Sequence, residues 1–235
     1  MKLHYLALRA RGEPLRMLLA HAKVDYQYVS IPLSEWSAIK ETMPPGKGGA
    51  RQVPVLELDD GTLMPESLDI AKCICQQVAD DSTRKMLLGG DHPEMAEEAT
   101  MSTVLLLINP LLNWFSVEEA EEKIPSFLAS VPDAYELIAS TTMIGKDGPF
   151  CCGPDVSYGD FVIFHHLDLI RTLDGGATLA GNKAMTAFWQ RMNELPALQE
   201  YLATRETSVG RPGSILETNK DPSMLASVQT AVKDL

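Results

Sequence analysis

The chain reads as an α/β layer with a small mixed sheet followed by an all-helical domain, and three observations lead there. Over the first 80 residues short strand-like and helix-like segments alternate, whereas beyond a polar stretch ending Gly89-Gly90-Asp91-His92-Pro93 only helical periodicity returns. Charge divides in the same region: residues 1–80 carry 9 Lys+Arg against 10 Asp+Glu, and the remainder 11 against 22. Within the first segment, residues 53–70 (VPVLELDDGTLMPESLDI) join an apolar strand, a turn, a second short strand and a helix start.

Taken in order, residues 2–8 (KLHYLAL) form a short buried strand, and Glu13 to Ala22 place Leu15, Leu18 and Leu19 on one helical face, with Pro14 in the first turn. Tyr26 to Ile31 alternates as a strand, and 34–43 is a short helix carrying Trp36. Val53-Pro54 opens an apolar run and is a candidate cis peptide, and Asp60-Gly61 is a hairpin dipeptide between strands at 55–58 and 62–64. Ser67 precedes the apolar-periodic run Leu68, Ile70, Ala71, Ile74 and reads as a helix N-cap, where a docked carboxylate meets a hydroxyl and a helix N-terminus together. The order β-α-β then β-β-α predicts a first domain over 1–80.

The second domain, 92–207, is predicted as helices at 94–115, 117–129, 132–144, 158–171, 183–194 and 197–205. Ser157-Tyr158-Gly159-Asp160 is a capping-box variant with Val156 and Phe161 at the staple positions, which marks a helix start in a core. A tail, 208–235, is Gly/Pro-rich at first and then amphipathic from Asp221-Pro222, with Met224, Leu225, Val228, Val232 and Leu235 on one face.

A net charge of −12 argues against nucleic acid and against an anionic membrane surface as main partners. No 18-residue apolar run and no basic-then-apolar leader precedes the first strand, so the expected location is cytoplasmic. Cys73, Cys75, Cys151 and Cys152 fit neither a CxxC pair nor a zinc spacing and read as reduced and structural. His165-His166 lie about 100° apart on a helix and lack paired ligands, so no metal is expected. Gly46-Lys47-Gly48-Gly49-Ala50-Arg51 lacks the GxxxxGK[ST] spacing of a phosphate-binding loop.

Tyr5-Leu6-Ala7-Leu8-Arg9-Ala10-Arg11-Gly12-Glu13-Pro14-Leu15-Arg16, VPVLELDDGTLMPES, the Ser157–Asp160 box and Leu195-Pro196-Ala197-Leu198 with Tyr201 to Arg205 stand in the order and spacing of a known family. Over about residues 1–207 the chain resembles the cytosolic glutathione S-transferases of the tyrosine type, closest to sigma- and mu-like classes. The resemblance implies a thioredoxin-like domain followed by an all-α domain, a homodimer, and glutathione as co-substrate for conjugating or isomerising a hydrophobic electrophile. It carries Tyr5 to the catalytic position and Arg11, Trp36, Lys40, Gln52, Val53, Pro54, Glu66 and Ser67 to the glutathione pocket, with Glu66 and Ser67 at the γ-glutamyl end. Met101 and Leu105, on the first helix of the second domain, are candidate lining residues for the hydrophobic substrate.

Thiol chemistry supports the tyrosine independently. A free thiol titrates at about 8.5, and lowering that by about two units takes roughly 2.7 kcal/mol of preferential thiolate stabilisation. A phenolic O–H keeps its proton at neutral pH, and one charge-assisted hydrogen bond supplies about 1.5–3 kcal/mol. A cysteine-type mechanism fails because no cysteine precedes Cys73. Several positions depart from the family pattern. Ala10 stands where many relatives have glycine, and Gly12 where many have alanine. Residues 46–51 lengthen a connection and read as a mobile flap with two added cations. Glu66 replaces a common glutamine. Thr100 lies near where relatives place an acid that reaches the partner subunit, with Glu97 and Glu98 as substitutes. These departures keep a second reading open, a non-catalytic binding or structural protein of the same fold.

Overall fold

The structure, a computed structural model, describes residues 1–108 and 117–205. Strand β1 (Lys2–Leu6) buries Leu3 and Tyr5 and pairs in parallel with β2 (Gln27–Ile31). Between them α1 (Glu13–Ala22) makes the crossover, ending on Lys23 in the left-handed region. Strand β3 (Val55–Glu57) pairs antiparallel with β1, and β4 (Leu63–Pro65) antiparallel with β3, giving the sheet order β2-β1-β3-β4. A short helix α2 (Trp36–Ile39) lies in the β2–β3 connection, and α3 (Ser67–Gln76) follows β4. This is the mixed sheet expected, and the Val53–Pro54 peptide is cis.

Strand direction positions everything that follows. Because β1 and β2 run together and β3 runs against them, the ends of β1, β2 and β4 and the start of β3 emerge at one end of the sheet. That end receives the turn holding Arg11, the segment with Trp36 and Lys40, the approach Gln52-Val53-Pro54, and Glu66-Ser67. One local expectation shifts by a residue: Ser67 is the first helical residue of α3, and Glu66, at φ 74°, ψ 113°, is the cap.

The polar stretch after residue 80 contains a helix that the sequence reading missed, α4 (Asp81–Leu87). Its signal was present, since the Asp80 carboxylate accepts the Thr83 N–H at 2.7 Å and Leu87 is buried. The second domain contains α5 (Pro93–Thr103), continued by a π-helical turn over Val104–Ile108, then α6 (Val117–Thr141), α7 (Tyr158–Asp174), α8 (Ala177–Ala180), α9 (Lys183–Asn193) and α10 (Pro196–Thr204). Helix α6 runs through Pro132, where two helices were expected. Proline removes one intrahelical bond, but the buried stripe Ile124, Phe127, Leu128, Val131, Tyr135, Ile138 is continuous across it, and burial outweighs the break. The predicted tail, 208–235, lies outside the described residues.

Helix α7 is the centre of the second domain, with Phe161, Ile163, Phe164, Leu167 and Ile170 fully buried. The capping box forms: the Asp160 carboxylate accepts the Ser157 N–H at 2.8 Å and its hydroxyl at 2.9 Å, and also the Cys151 N–H at 2.8 Å. The adjacent histidines are buried in the same helix; His166 contacts the Val162 carbonyl at 2.5 Å, and burial pushes its imidazole down to about 4. Among the described residues no helix is long and apolar enough to cross a membrane.

Candidate active site

Tyr5 is 4 % exposed, and its hydroxyl accepts the Arg11 N–H at 3.0 Å. Burial pushes the phenol up to about 12, against the opposing pull of that N–H and of the Arg16 and Arg11 cations. It is therefore protonated at neutral pH and holds a proton to donate, with one lone pair already engaged. The turn that supplies the amide is braced from below. The Tyr28 hydroxyl donates to the Leu6 carbonyl at 2.7 Å, Arg16 Nη2 donates to the Leu8 carbonyl at 2.8 Å, and the Arg16 guanidinium stacks 4.6 Å from the Tyr28 ring centre.

The exchange of alanine and glycine in this turn has a physical reading. A Cβ on Gly12 would lie 2.3 Å from Tyr5 Cδ1 and 2.6 Å from Cγ, so the ring occupies the space that a side chain would need. Ala10 adopts φ 27°, a conformation that glycine reaches with less strain. Gly12→Ala is expected to displace the Tyr5 ring and lower stability by about 1–3 kcal/mol, read as a lower urea midpoint at unchanged m-value.

Glu66 is the hinge of a second cluster. Its Oε1 accepts the Lys47 N–H at 2.7 Å and Gln52 Nε2 at 3.3 Å, and Lys47 Nζ pairs with Asp69 at 2.8 Å. Gly46 N–H donates to the Ala50 carbonyl at 2.8 Å, closing the loop on itself, and Arg51 bonds the Met43 carbonyl and pairs with Glu41 at 3.2 Å. The extra residues at 46–51 are thus tied down onto the start of α3, where a mobile flap was expected. A Cβ at Gly46 would meet Glu66 Oε1 at 2.5 Å and Gln52 Nε2 at 2.7 Å, so any side chain there would displace the ends of these two. The left-handed backbone of Glu66 is strained for a side chain, and strain of this kind concentrates at functional positions. Trp36 is half-buried against Ile31, Met43 and Val55, and Lys40 is exposed at the same sheet end.

Between the two domains runs a narrow cleft. Its walls include Arg11, Leu15 and Leu18 from the first domain, Ser67 from α3, and Val104 and Tyr158 from the second domain. Its enclosed space takes little more than one water molecule, so any larger occupant must part the walls. Tyr5, bonded to the Arg11 N–H, is not among the residues that line it. Met101 and Leu105, predicted to face a substrate, are 55 % and 65 % exposed; the cleft wall uses Thr100 and Val104, one position earlier. The reason is the packing of α5 on α7. That contact is made by small residues, with a Gly159 Cβ excluded by the Ala96 carbonyl at 2.8 Å, so Ala96, Ala99 and Thr103 turn inward and the larger side chains turn out. Thr100 donates to the Ala96 carbonyl at 2.8 Å, Glu97 pairs with Lys72 at 2.6 Å, and Glu98 accepts from Ser102 at 2.9 Å, so all three are engaged within this chain.

The sequence reading also missed a buried ionic network that locks the domains together. Glu13 Oε2 accepts from Arg16 Nη2 at 2.6 Å and from the Tyr201 hydroxyl at 3.0 Å, while Glu13 Oε1 meets Arg205 Nη1 at 3.3 Å. Arg205 Nη2 continues to Asp168 at 2.9 Å. Pairing of Arg16 with Glu13 sits directly beneath the Tyr5 turn, so the network holds the turn that supplies the Arg11 amide.

Fold and site together define a two-domain protein: a thioredoxin-like sheet that delivers a tyrosine, an arginine turn and a helix N-terminus to one end, and a helical domain against it. Comparison with known proteins agrees at both halves. Residues 12–77 match the family model for the glutathione S-transferase N-terminal domain, and residues 109–205 match that for its C-terminal domain. The chain is 23 % identical over 219 residues to glutathione S-transferase 4 of Caenorhabditis elegans, covering 88 % of this chain and 98 % of that one. It is 27 % identical over 210 residues to hematopoietic prostaglandin D synthase of Gallus gallus, covering 87 % and 96 %. Among solved structures, the glutathione S-transferase Blo t 8 has the same fold, with TM-score 0.72 at 22 % identity over 91 % of this chain and 98 % of that one. The chain belongs to the glutathione S-transferase family of enzymes.

Proposed function

We propose that this enzyme binds glutathione at the shared sheet end, stabilises its thiolate through the Tyr5 hydroxyl, and conjugates it to, or uses it to isomerise, a hydrophobic electrophile. The observation that carries the reading is the state of Tyr5: buried, accepting the Arg11 amide, and protonated well above neutral pH. A phenol that already accepts an N–H bond is polarised toward donating its own proton, and a thiolate is the acceptor that gains most from it. The free N–H groups at the start of α3 and the Ser67 hydroxyl favour the γ-glutamyl carboxylate, and the Glu66 carboxylate favours the ammonium. Gln52 and Val53 offer main chain to the cysteinyl part beside Pro54, and Trp36 and Lys40 offer a cation and a flat apolar face to the glycyl end. No metal takes part in this scheme.

The electrophile is assigned to the interdomain cleft, whose apolar walls suit a hydrophobic molecule. Filling it with Val104→Trp is expected to raise KM for an aryl-halide electrophile about tenfold with little change in glutathione affinity, whereas Met101→Ala changes neither. The proposal extends to a cytoplasmic homodimer, with Met101 and Leu105 on the exposed face of α5 available to a second copy. The first test is a pH titration of bound glutathione by thiolate ultraviolet absorbance. A bound thiol titrating well below about 8.5 supports thiol activation, and binding without any shift overturns it.

A further inference from the structure

At the N-terminus of α7, and not among the residues lining the cleft, the two adjacent cysteines form a cluster that the transferase chemistry does not use. Cys151 and Cys152 occupy the tip of a tight turn closed by reciprocal bonds between Phe150 and Gly153, at 3.1 and 3.3 Å. Their sulfurs lie 3.5 Å apart. Cys151 is fully buried beneath the capping box, 3.0 Å from the Ser157 hydroxyl and 3.4 Å from the Asp160 carboxylate. Cys152, 8 % exposed, reaches a solvent-open groove bordered by Lys85, Asp91, His92, Asp147 and Gly153.

We propose that Cys151 and Cys152 form a reversible redox site, in which a hydroperoxide entering the groove oxidises Cys152 and Cys151 resolves it to a vicinal disulfide. The geometry divides the roles. Cys152 alone has a route to solvent, and hydrogen bonding from Cys151, with Ser157 adding to it, outweighs burial and holds its thiol below the ordinary range. Burial and the neighbouring Cys152 and Asp160 push Cys151 well up, so it remains the thiol. The Cys152 thiolate attacks one peroxide oxygen, the O–O bond breaks, and the hydroxide or alkoxide that leaves takes up a proton, giving a sulfenic acid. Cys151 sulfur then attacks the sulfenic sulfur, its proton joins the departing hydroxide as water, and an S–S bond replaces two thiols. Neighbouring Cα atoms are about 3.8 Å apart, less than the roughly 4.4–6.8 Å usual for disulfides, so the product is readily reduced again.

Oxidation has a structural consequence, because closing the bond draws the Cys151 sulfur from Ser157 and Asp160, which cap the helix carrying Tyr158 and Val162 in the cleft wall. The test treats the full chain with hydrogen peroxide, unfolds it in denaturant to alkylate every free thiol, and maps cysteines by mass spectrometry. Expected is a segment with Cys151 and Cys152 unalkylated and lighter by two hydrogens, reversed by dithiothreitol, with a reversible fall in melting midpoint, while Cys73 and Cys75 stay alkylated. Cys152→Ser, at the groove rim and outside the box, should leave Cys151 alkylated, and Cys151→Ser should stop Cys152 at a sulfenic acid trapped by dimedone. Full alkylation of both residues after peroxide, oxidation at Cys73 or Cys75 instead, or oxidation of Cys151 persisting in Cys152→Ser each overturns the proposal. Should Cys151→Ser fail to fold, the native chain and Cys152→Ser decide it alone.

Discussion

Tyr5→Phe is expected to lower kcat/KM for conjugation by roughly ten- to 150-fold at neutral pH, the span that corresponds to about 1.5–3 kcal/mol for one hydrogen bond to a charged group. The deficit has a defined pH dependence. With the phenol present, bound thiol is ionised below its free value and the rate is level through neutrality; without it, ionisation moves back toward about 8.5, so the deficit narrows as pH rises past that point. The ring is retained over Gly12, and only the Arg11 N–H loses its acceptor, so the loss of stability should be small beside the loss of rate. Steady-state rates and thiolate absorbance of bound glutathione, each followed against pH, check both halves. Unchanged profiles in the variant would remove Tyr5 from the mechanism and assign thiol activation to another group of the site.

The largest expected effect on stability is at Glu13. Its carboxyl is fully buried between Arg16, Arg205 and the Tyr201 hydroxyl. Replacing it with glutamine leaves the buried Arg16 guanidinium without its counter-charge, while Arg205 keeps its pair with Asp168, at an expected loss of about 3–5 kcal/mol. The pH dependence follows from the direction of its titration. Burial pushes Glu13 up, but the Arg16, Arg205 and Arg9 cations outweigh it and hold the carboxyl below the ordinary glutamate range. A depressed folded value means that the contribution is present above the unfolded pKa and is lost as pH falls through the folded one. Urea denaturation of native chain and Glu13→Gln should therefore differ widely at neutral pH and converge in acid. A difference below about 1 kcal/mol at neutral pH would show that the network adds little net stability, as exposed pairs do.

Much of the fold was legible because its signals are short-range. Asp60-Gly61 turns β3 back into β4, and Ser157 with Asp160 starts α7; each works within four residues of itself. Strand order then follows from few topological choices, and with it the convergence of Tyr5, Arg11, Gln52-Val53-Pro54 and Glu66-Ser67 on one sheet end. The proposed role of Tyr5 as a proton donor came from the family resemblance of the first strand and its turn, with the acidity of a thiol in support.

Other features have no local signature. Glu13 and Arg16 read as one more helical charge pair until Tyr201 and Arg205, almost the whole chain away, arrive to bury them. Met101 and Leu105 carry more apolar surface than Thr100 and Val104, yet close approach of α5 to Gly159 selects the small residues for the inside and turns the large ones out. Residues 46–51 resemble a loose loop in isolation, and Glu66 and Asp69, brought alongside by the hairpin, tie them to the start of α3. Sequence alone determined where chain direction changes and which groups can donate, because those depend on backbone conformation and side-chain acidity. Which face each helix buries, and which charges lose their water, was decided only when distant segments packed, since desolvation belongs to the contact and to neither residue by itself.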